Sequence, residues 1–360
     1  MLTHEDAFLA SIVEHPDDDA PRLIFADWLD DHGNADRAEF IRVQVESARV
    51  PPSSARGVTL LRREAELRQR GEDEWRTRLP QLDGVSWEGF SRGFVEAVFV
   101  ETVEQFLQHA DALFAAAPLR SVQIGTLSAA DAARLAVVPD LVRLQELNLG
   151  NNPTLGRDGV RALAGSPHLA NLTALLLHYN DLGDDAVRDL ARSPYLTRLV
   201  ELYLSGNDLG DPAAVALAGA FPRLRDLDLR DNRIADPGVL ALADAPERRE
   251  LTTLYLVNNT IGPLGAHALA ASPHLPHLAR LYLNYNPVGD EGALAFADAR
   301  RRDALLDLDL RHCQVHDAGG LALARSLYLP RLELLWLSGN GLSRDTRRLL
   351  RARFGARLRL

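Results

Sequence analysis

Cys313 is the only cysteine in this 360-residue chain, and it stands between two histidines in the run His312-Cys313-Gln314-Val315-His316. A thiol beside an imidazole is the start of a nucleophilic pair, and one Cys with two His supplies three of the four ligands of a zinc site. Both readings stop early. No fourth ligand is evident nearby, and Cys313 falls at a repeated turn position where a buried, inert thiol is expected. Asp27, Asp30 and Asp31 gather beside His32, but their run reads as a solvated helix end. His168 and His274 recur inside the same Ser-Pro-His-Leu turn, a structural setting. The chain has no Gly-x-x-x-x-Gly-Lys-Ser/Thr phosphate loop and no Gly-x-Ser-x-Gly elbow. The expectation is a non-enzymatic protein with no metal and no cofactor.

The chemistry that remains is recognition. Tyr203, Tyr255, Tyr282 and Trp336 recur at related positions, together with the pairs Asp228/Arg230 and Asp309/Arg311 and with Glu201. Aromatic side chains mixed with Arg and Asp match the composition of protein-binding hot spots. These positions are set by a frame, Leu-x-x-Leu-x-Leu-x-x-Asn, that begins at Leu144, Leu172, Leu199, Leu224, Leu251, Leu278, Leu305 and Leu332. Subtracting neighbours gives steps of 28, 27, 25, 27, 27, 27 and 27 residues, the spacing of a repeat array. Within one unit, Leu202 and Leu204 are two residues apart on a short strand, so both face one side, and Glu201, Tyr203 and Ser205 face the other. A fully buried leucine contributes roughly 1.5–3 kcal/mol. Outward strand positions across the array are Asn148, Leu176, Tyr203, Asp228, Tyr255, Tyr282, Asp309 and Trp336, flanked by Asp226, Thr253, Arg280, Asn284, Asp307 and Ser338.

Each frame ends in an asparagine whose amide can satisfy turn groups that would otherwise be buried unpaired: Asn152, Asn180, Asn207, Asn232, Asn259, Asn286 and Asn340. Cys313 takes the remaining position. Helix-like stretches follow, such as Asp185-Ala-Val-Arg-Asp-Leu-Ala, opened by an acid or by Pro212, Pro237 or Pro263 and stopped by Ser-Pro or Ala-Pro. Strand, turn and helix repeated eight times imply an α/β solenoid, with a parallel sheet on its concave side and helices outside. The units resemble leucine-rich repeats of the ribonuclease-inhibitor-like class. That resemblance spans 144–342 and implies a fold and a binding surface, with no activity attached.

Outside the array the pattern changes. Residues 90–143 read as degenerate capping repeats, since Leu119-Arg-Ser-Val122-Gln-Ile124 keeps the apolar frame without the asparagine and Val95 to Val100 alternates as a strand. Residues 343–360 place Leu349, Leu350, Phe354 and Leu358 at helical spacing, which predicts a cap helix. At the other end, residues 1–50 predict three helices: one capped by Thr3 with Asp6, one carrying Ile24, Phe25, Trp28 and Leu29 and ending at Gly33, and one burying Phe40, Ile41 and Val45. The run Arg22-Leu-Ile-Phe-Ala-Asp-Trp-Leu-Asp-Asp-His-Gly33 with Ala38-Glu-Phe-Ile-Arg-Val-Gln44 resembles the bacterial repeat-companion domain, which implies no catalysis. Residues 51–89 read as a linker and a bridging helix.

Charge is uneven. The chain carries −10 overall, and residues 1–46 hold 12 acids against 3 arginines, leaving −9 there. No apolar run suggests a signal or a membrane span, so a cytoplasmic location is expected. The expected partner is a protein or peptide on the concave face. Two alternatives carry less support. A GTPase-activating role follows by fold analogy, because one eukaryotic family of such activators uses this repeat class. Nucleic-acid binding is suggested by the C-terminal cluster Arg344, Arg347, Arg348, Arg351, Arg353, Arg357 and Arg359, but the chain is acidic and lacks a recognised nucleic-acid module.

Overall fold

Thr3 starts the first helix as the sequence predicts: its hydroxyl accepts from the Asp6 amide at 3.1 Å, and the Asp6 carboxylate accepts from the Thr3 amide at 2.8 Å. The structure is a computed structural model describing residues 3–299 and 304–360. It separates into two units, Met1–Thr126 with Arg143–Leu147, and Leu127–Val142 with Asn148–Leu360.

The first unit opens with four helices, α1 (His4–Glu14), α2 (Ala20–Asp31), α3 (Ala35–Ser47) and α4 (Ala55–Arg76). Phe25 and Leu29 of α2 pack with Ile12, Ile41 and Phe94. Ile24, carried by this helix as the sequence predicts, is 57% exposed. It lies next to Phe25 on a helix that buries one stripe, and that stripe is centred on Phe25 and Leu29. The helix stops at Gly33, whose φ of +81° needs no Cβ. The charged α4 does more than bridge: Leu60, Leu67 and Trp75 close a second core with Phe40 and Val43 of α3. The unit continues through β1 (Val85–Trp87), β2 (Phe90–Ser91), β3 (Phe94–Val95), β4 (Ala97–Thr102), α5 (Val103–Ala116) and β5 (Ser121–Thr126). β4 pairs antiparallel with β1 and parallel with β5.

The second unit alternates helix and strand: α6 (Ala129–Leu135), β6 (Glu146–Asn148, at the division between units), α7 (Gly156–Ala164), β7 (Ala174–Leu176), α8 (Gly183–Ala191), β8 (Glu201–Tyr203), α9 (Asp211–Ala218), β9 (Asp226–Asp228), α10 (Asp236–Asp244), β10 (Thr253–Tyr255), α11 (Pro263–Ala271), β11 (Arg280–Tyr282), α12 (Gly289–Ala297), β12 (Asp307–Asp309), α13 (Asp317–Arg325), β13 (Leu334–Trp336), α14 (Arg344–Phe354) and β14 (Leu358–Arg359). From β7 to β14 each strand pairs parallel with the next in chain order. The frame leucines are in register, Leu175 beside Leu202, Leu227, Leu254, Leu281, Leu308 and Leu335, all essentially inaccessible. The C-terminal segment departs from a plain cap helix. Leu350 and Phe354 are buried as expected, Leu349 is exposed, and Leu358 leaves the helix to pair with Leu335 on the sheet. An open parallel edge has unpaired backbone groups, and this last strand covers part of them.

Three side-chain ladders tie the repeats together. In the first, Asn259 accepts from the Ile234 amide at 2.9 Å and donates to the Leu229 carbonyl at 2.9 Å, both in the preceding repeat. Asn152, Asn180, Asn207, Asn232, Asn286 and Asn340 accept amide bonds in the same way. Cys313 keeps only half of the pattern: its thiol donates to the Leu283 carbonyl at 3.1 Å, while the Val288 amide turns to Asn286 O instead. The second ladder caps helices from outside. Asp236 opens α10, yet it accepts from the Gly262 and Gly265 amides of α11 at 2.7 and 2.8 Å, and Gly262 has no capping side chain of its own. Asp211 and Asp290 do the same for α10 and α13. A Cβ on Gly265 would stand 2.6 Å from Asp236 Oδ1, so the close approach requires glycine there. In the third, Ser166, Ser193, Ser272 and Ser326 donate to carbonyls of the preceding helix (Ala136, Ala164, Ala243 and Ala297). These serine turns, three of them Ser-Pro, therefore fasten one helix to the next.

Candidate binding face of the repeat sheet

Parallel register turns single residues into rows across the sheet. One row runs Leu176, Tyr203, Asp228, Tyr255, Tyr282, Asp309, Trp336 and Arg359, and a second runs Ala174, Glu201, Asp226, Thr253, Arg280, Asp307 and Leu334. The four aromatics singled out in the sequence are all in the first row and all half-buried. Tyr255 and Tyr282 stack with centroids 4.8 Å apart and planes 5° from parallel. Tyr203 and Trp336 are each two row positions from this pair, separated from it by Asp228 and Asp309.

Those two aspartates occupy the outward positions expected of them, but their carboxylates are buried, Asp228 and Asp309 each 1% exposed. The cause is local. Two residues on, Arg230 folds back and grips Asp228 through Nε at 2.9 Å and Nη2 at 2.6 Å, and Arg311 grips Asp309 through Nε at 2.9 Å and Nη2 at 2.5 Å. The backbone amides of both arginines also donate to the same carboxylates at 3.0 Å. Hydrogen bonding to the carboxylates, the largest effect, raises both guanidinium pKa values. Each arginine lies over the next ring in the row, Arg230 at 5.2 Å from Tyr255 and Arg311 at 5.0 Å from Trp336. The aspartates orient arginines, and the arginines, 44% and 39% exposed, are what the face presents.

The phenols and the indole are also tethered. Tyr203 Oη donates to Glu201 at 3.1 Å, Tyr282 Oη to Asp307 at 3.1 Å, and Trp336 Nε1 to Asp307 at 2.9 Å. Burial pushes the Tyr282 hydroxyl up to about 12 and raises Asp307 above the usual carboxylate value. Arg280 donates to Thr253 at 3.1 Å and covers it, so Thr253 is inaccessible although it occupies an outward position. Ser205 and Asn284 are buried as well, because they are small and stand where the chain turns into the ladder asparagines.

One row was not singled out in the sequence. The residue immediately before each ladder position adopts positive φ: Asn151 (64°), Tyr179 (55°), Asp231 (55°), Asn258 (52°), Tyr285 (60°) and His312 (52°). This forces the side chain out along the rim, where Tyr179 and Tyr285 are about half exposed. Tyr179 Oη donates to Asp231 at 3.1 Å, and Tyr285 stacks on His312 at 4.5 Å. The signal was present in His-Tyr-Asn and Asn-Tyr-Asn, but strand alternation alone does not extend to that position.

The remaining candidates take structural places. Cys313 is inaccessible, and burial pushes its thiol up to about 12. His312 and His316 are exposed, and among the described residues no group of three or more His, Cys, Asp or Glu could hold a metal ion. Asp27 and Asp30 both accept from Arg42 at 2.6 Å, and His32 stacks on Trp28 at 4.0 Å. Of the C-terminal arginines, Arg353, Arg357 and Arg359 donate to the Ser326, Leu332 and Ala356 carbonyls, and Arg359 also lies 5.9 Å from the Trp336 ring. No helix among the described residues is long and apolar enough to cross a membrane.

Rows of this kind, on a parallel sheet built from Leu-x-x-Leu-x-Leu-x-x-Asn units with helices between the strands, define a leucine-rich-repeat solenoid. The chain carries leucine-rich repeats by sequence as well: the family model described as Leucine Rich repeat matches residues 144–164, 195–218, 223–243, 249–270, 274–297 and 305–324. The frames at Leu172 and Leu332 fall outside those matches, yet their strands β7 and β13 are in register with the rest. No curated protein matches the chain. Among solved structures, the crystal structure of the Rad7 and Elc1 complex in yeast is similar over 98% of this chain and 91% of that one, at 14% identity and a TM-score of 0.52. An internalin C2 from Listeria monocytogenes str. 4b F2365 aligns over 65% of this chain and 83% of its own, at 24% identity and a TM-score of 0.42.

Proposed function

We propose that this protein is a non-catalytic binding module whose concave sheet face receives a protein or peptide partner. The stacked Tyr255/Tyr282 pair, flanked by ring-covering arginines that buried aspartates hold in place, is the observation that carries the reading. Hot spots concentrate in rigid aromatic and arginine side chains, and pre-ordered side chains lose little entropy on binding. Tyr203, Tyr255, Tyr282 and Trp336 supply the apolar anchors in this reading. Arg230 and Arg311 present positive charge, and Asp228, Asp309 and Glu201 act by positioning Arg230, Arg311 and Tyr203. The contact surface then favours a partner segment with an acidic group beside an apolar one. Capture from a lysate of the source cells, compared between wild type and a folded Tyr255→Ala/Trp336→Ala variant, tests the proposal. A protein retained by the first and lost by the second supports it, and identical captures count against it.

A further inference from the structure

The first unit holds a polar feature independent of the sheet. Arg37 of α3 lies among four aromatic rings, its guanidinium carbon 4.7 Å from the centroid of Trp75, 5.1 Å from Phe90, 5.4 Å from Phe40 and 5.5 Å from Phe94. Nη2 donates to the Gly93 carbonyl at 2.5 Å. Nη1 is buried and has no hydrogen-bond partner among the described residues. Burial pushes this guanidinium down to about 9, with Arg78 adding like-charge repulsion, so it remains charged at neutral pH. Buried charges in folded proteins are normally paired, and a buried donor without a partner calls for an explanation.

Arg37 also lines a cavity of about 380 Å³ whose walls include Leu9, Phe25, Leu29, Trp75 and Phe94. That volume lies within the range of small-molecule sites. The other charged groups of the lining are committed elsewhere: Arg78 pairs with Glu5, and Asp6 accepts from Thr3 in the α1 cap. Arg37 therefore supplies one uncompensated positive charge in an apolar, aromatic enclosure. Glu5 and Asp6 in the same lining disfavour a dianion such as a phosphate monoester, and a single carboxylate balances a single guanidinium.

We propose that this cavity is a binding site for a small aromatic carboxylate, its carboxylate paired with the Arg37 guanidinium and its ring packed on the aromatic wall. Calorimetric titration of the full chain with phenylpropionate and with its neutral analogue phenylpropionamide tests this. The expected result is binding of the acid, weaker by about tenfold or more for the amide. Arg37→Gln, checked for an unchanged melting temperature, should lower affinity for the acid by a similar factor, and Arg37→Lys should restore part of it. Ala116→Phe, which adds a ring to the cavity lining and leaves Arg37 in place, should abolish binding. Absence of binding by the acid, equal binding of acid and amide, or undiminished binding to a folded Arg37→Gln variant would each overturn the proposal and leave Arg37 as a structural cation.

Discussion

At the scale of single residues, the asparagine ladder is where one atom's loss should cost most. Asn259→Ala leaves the Ile234 amide without its partner in a buried turn and the Leu229 carbonyl with Asn232 alone. An unsatisfied buried group costs about 1–3 kcal/mol, so urea unfolding should show a loss in that range. Cys313→Asn should go the other way. The amide two residues after Asn207, Asn232, Asn259 and Cys313 bonds to the next ladder asparagine, whereas Val288 finds a thiol at that place. Restoring the amide should leave stability unchanged or raise it by about 1 kcal/mol. A destabilisation like that of Asn259→Ala would show that the site has adapted to sulfur. The thiol itself, raised to about 12 by burial, should react with iodoacetamide roughly a hundredfold more slowly in the native protein than in urea at the same pH. Ladder residues could be read from sequence because their role repeats. The burial of Asp228 and Asp309 could not, since alternation gives a side chain's direction and says nothing of an arginine two residues on that folds over it.

At the scale of elements, the coupling between repeats lies in the helix ends as much as in the sheet. Asp236→Ala should remove the side-chain cap that α11 receives from the preceding repeat and cost about 1–2 kcal/mol. A loss confined to α10, read by amide exchange, would contradict capping across repeats. The sequence marked these acids as first-turn residues, which is where they stand, but their partners are 26 and 29 residues further on and no local rule points there. The same applies to β14, whose Leu358 fits a helical stripe in sequence and a sheet edge in space. Acid should loosen these elements. Glu39 is held below its usual value of 4.5 by Arg63, Glu72 likewise by Arg68, and Asp189 below 3.8 by Arg157. A depressed carboxylate contributes stability that is complete above its unfolded pKa and is lost as pH falls through the folded one. Asp307, raised by burial, acts in the opposite sense. Three against one predicts a melting temperature that falls as pH drops below about 4.5, and an unchanged value would mean that these pairs add little.

At the scale of the whole molecule, the repeat period made the solenoid and its outward rows legible before any coordinates, because one frame residue in three is a leucine that must share a core with its neighbours. The rim row of Tyr179, Tyr285 and His312 was not legible, since its direction depends on a left-handed backbone that the alternation of a strand does not encode. In the proposed function the sheet face, and not the helix side, meets the partner. A photo-cross-linking amino acid placed at exposed Arg280 on the sheet, and separately at Leu264 on the helix side, would test it most directly. The expected result is a covalent adduct with the captured partner from position 280 and none from 264. Adducts from 264 alone would contradict it.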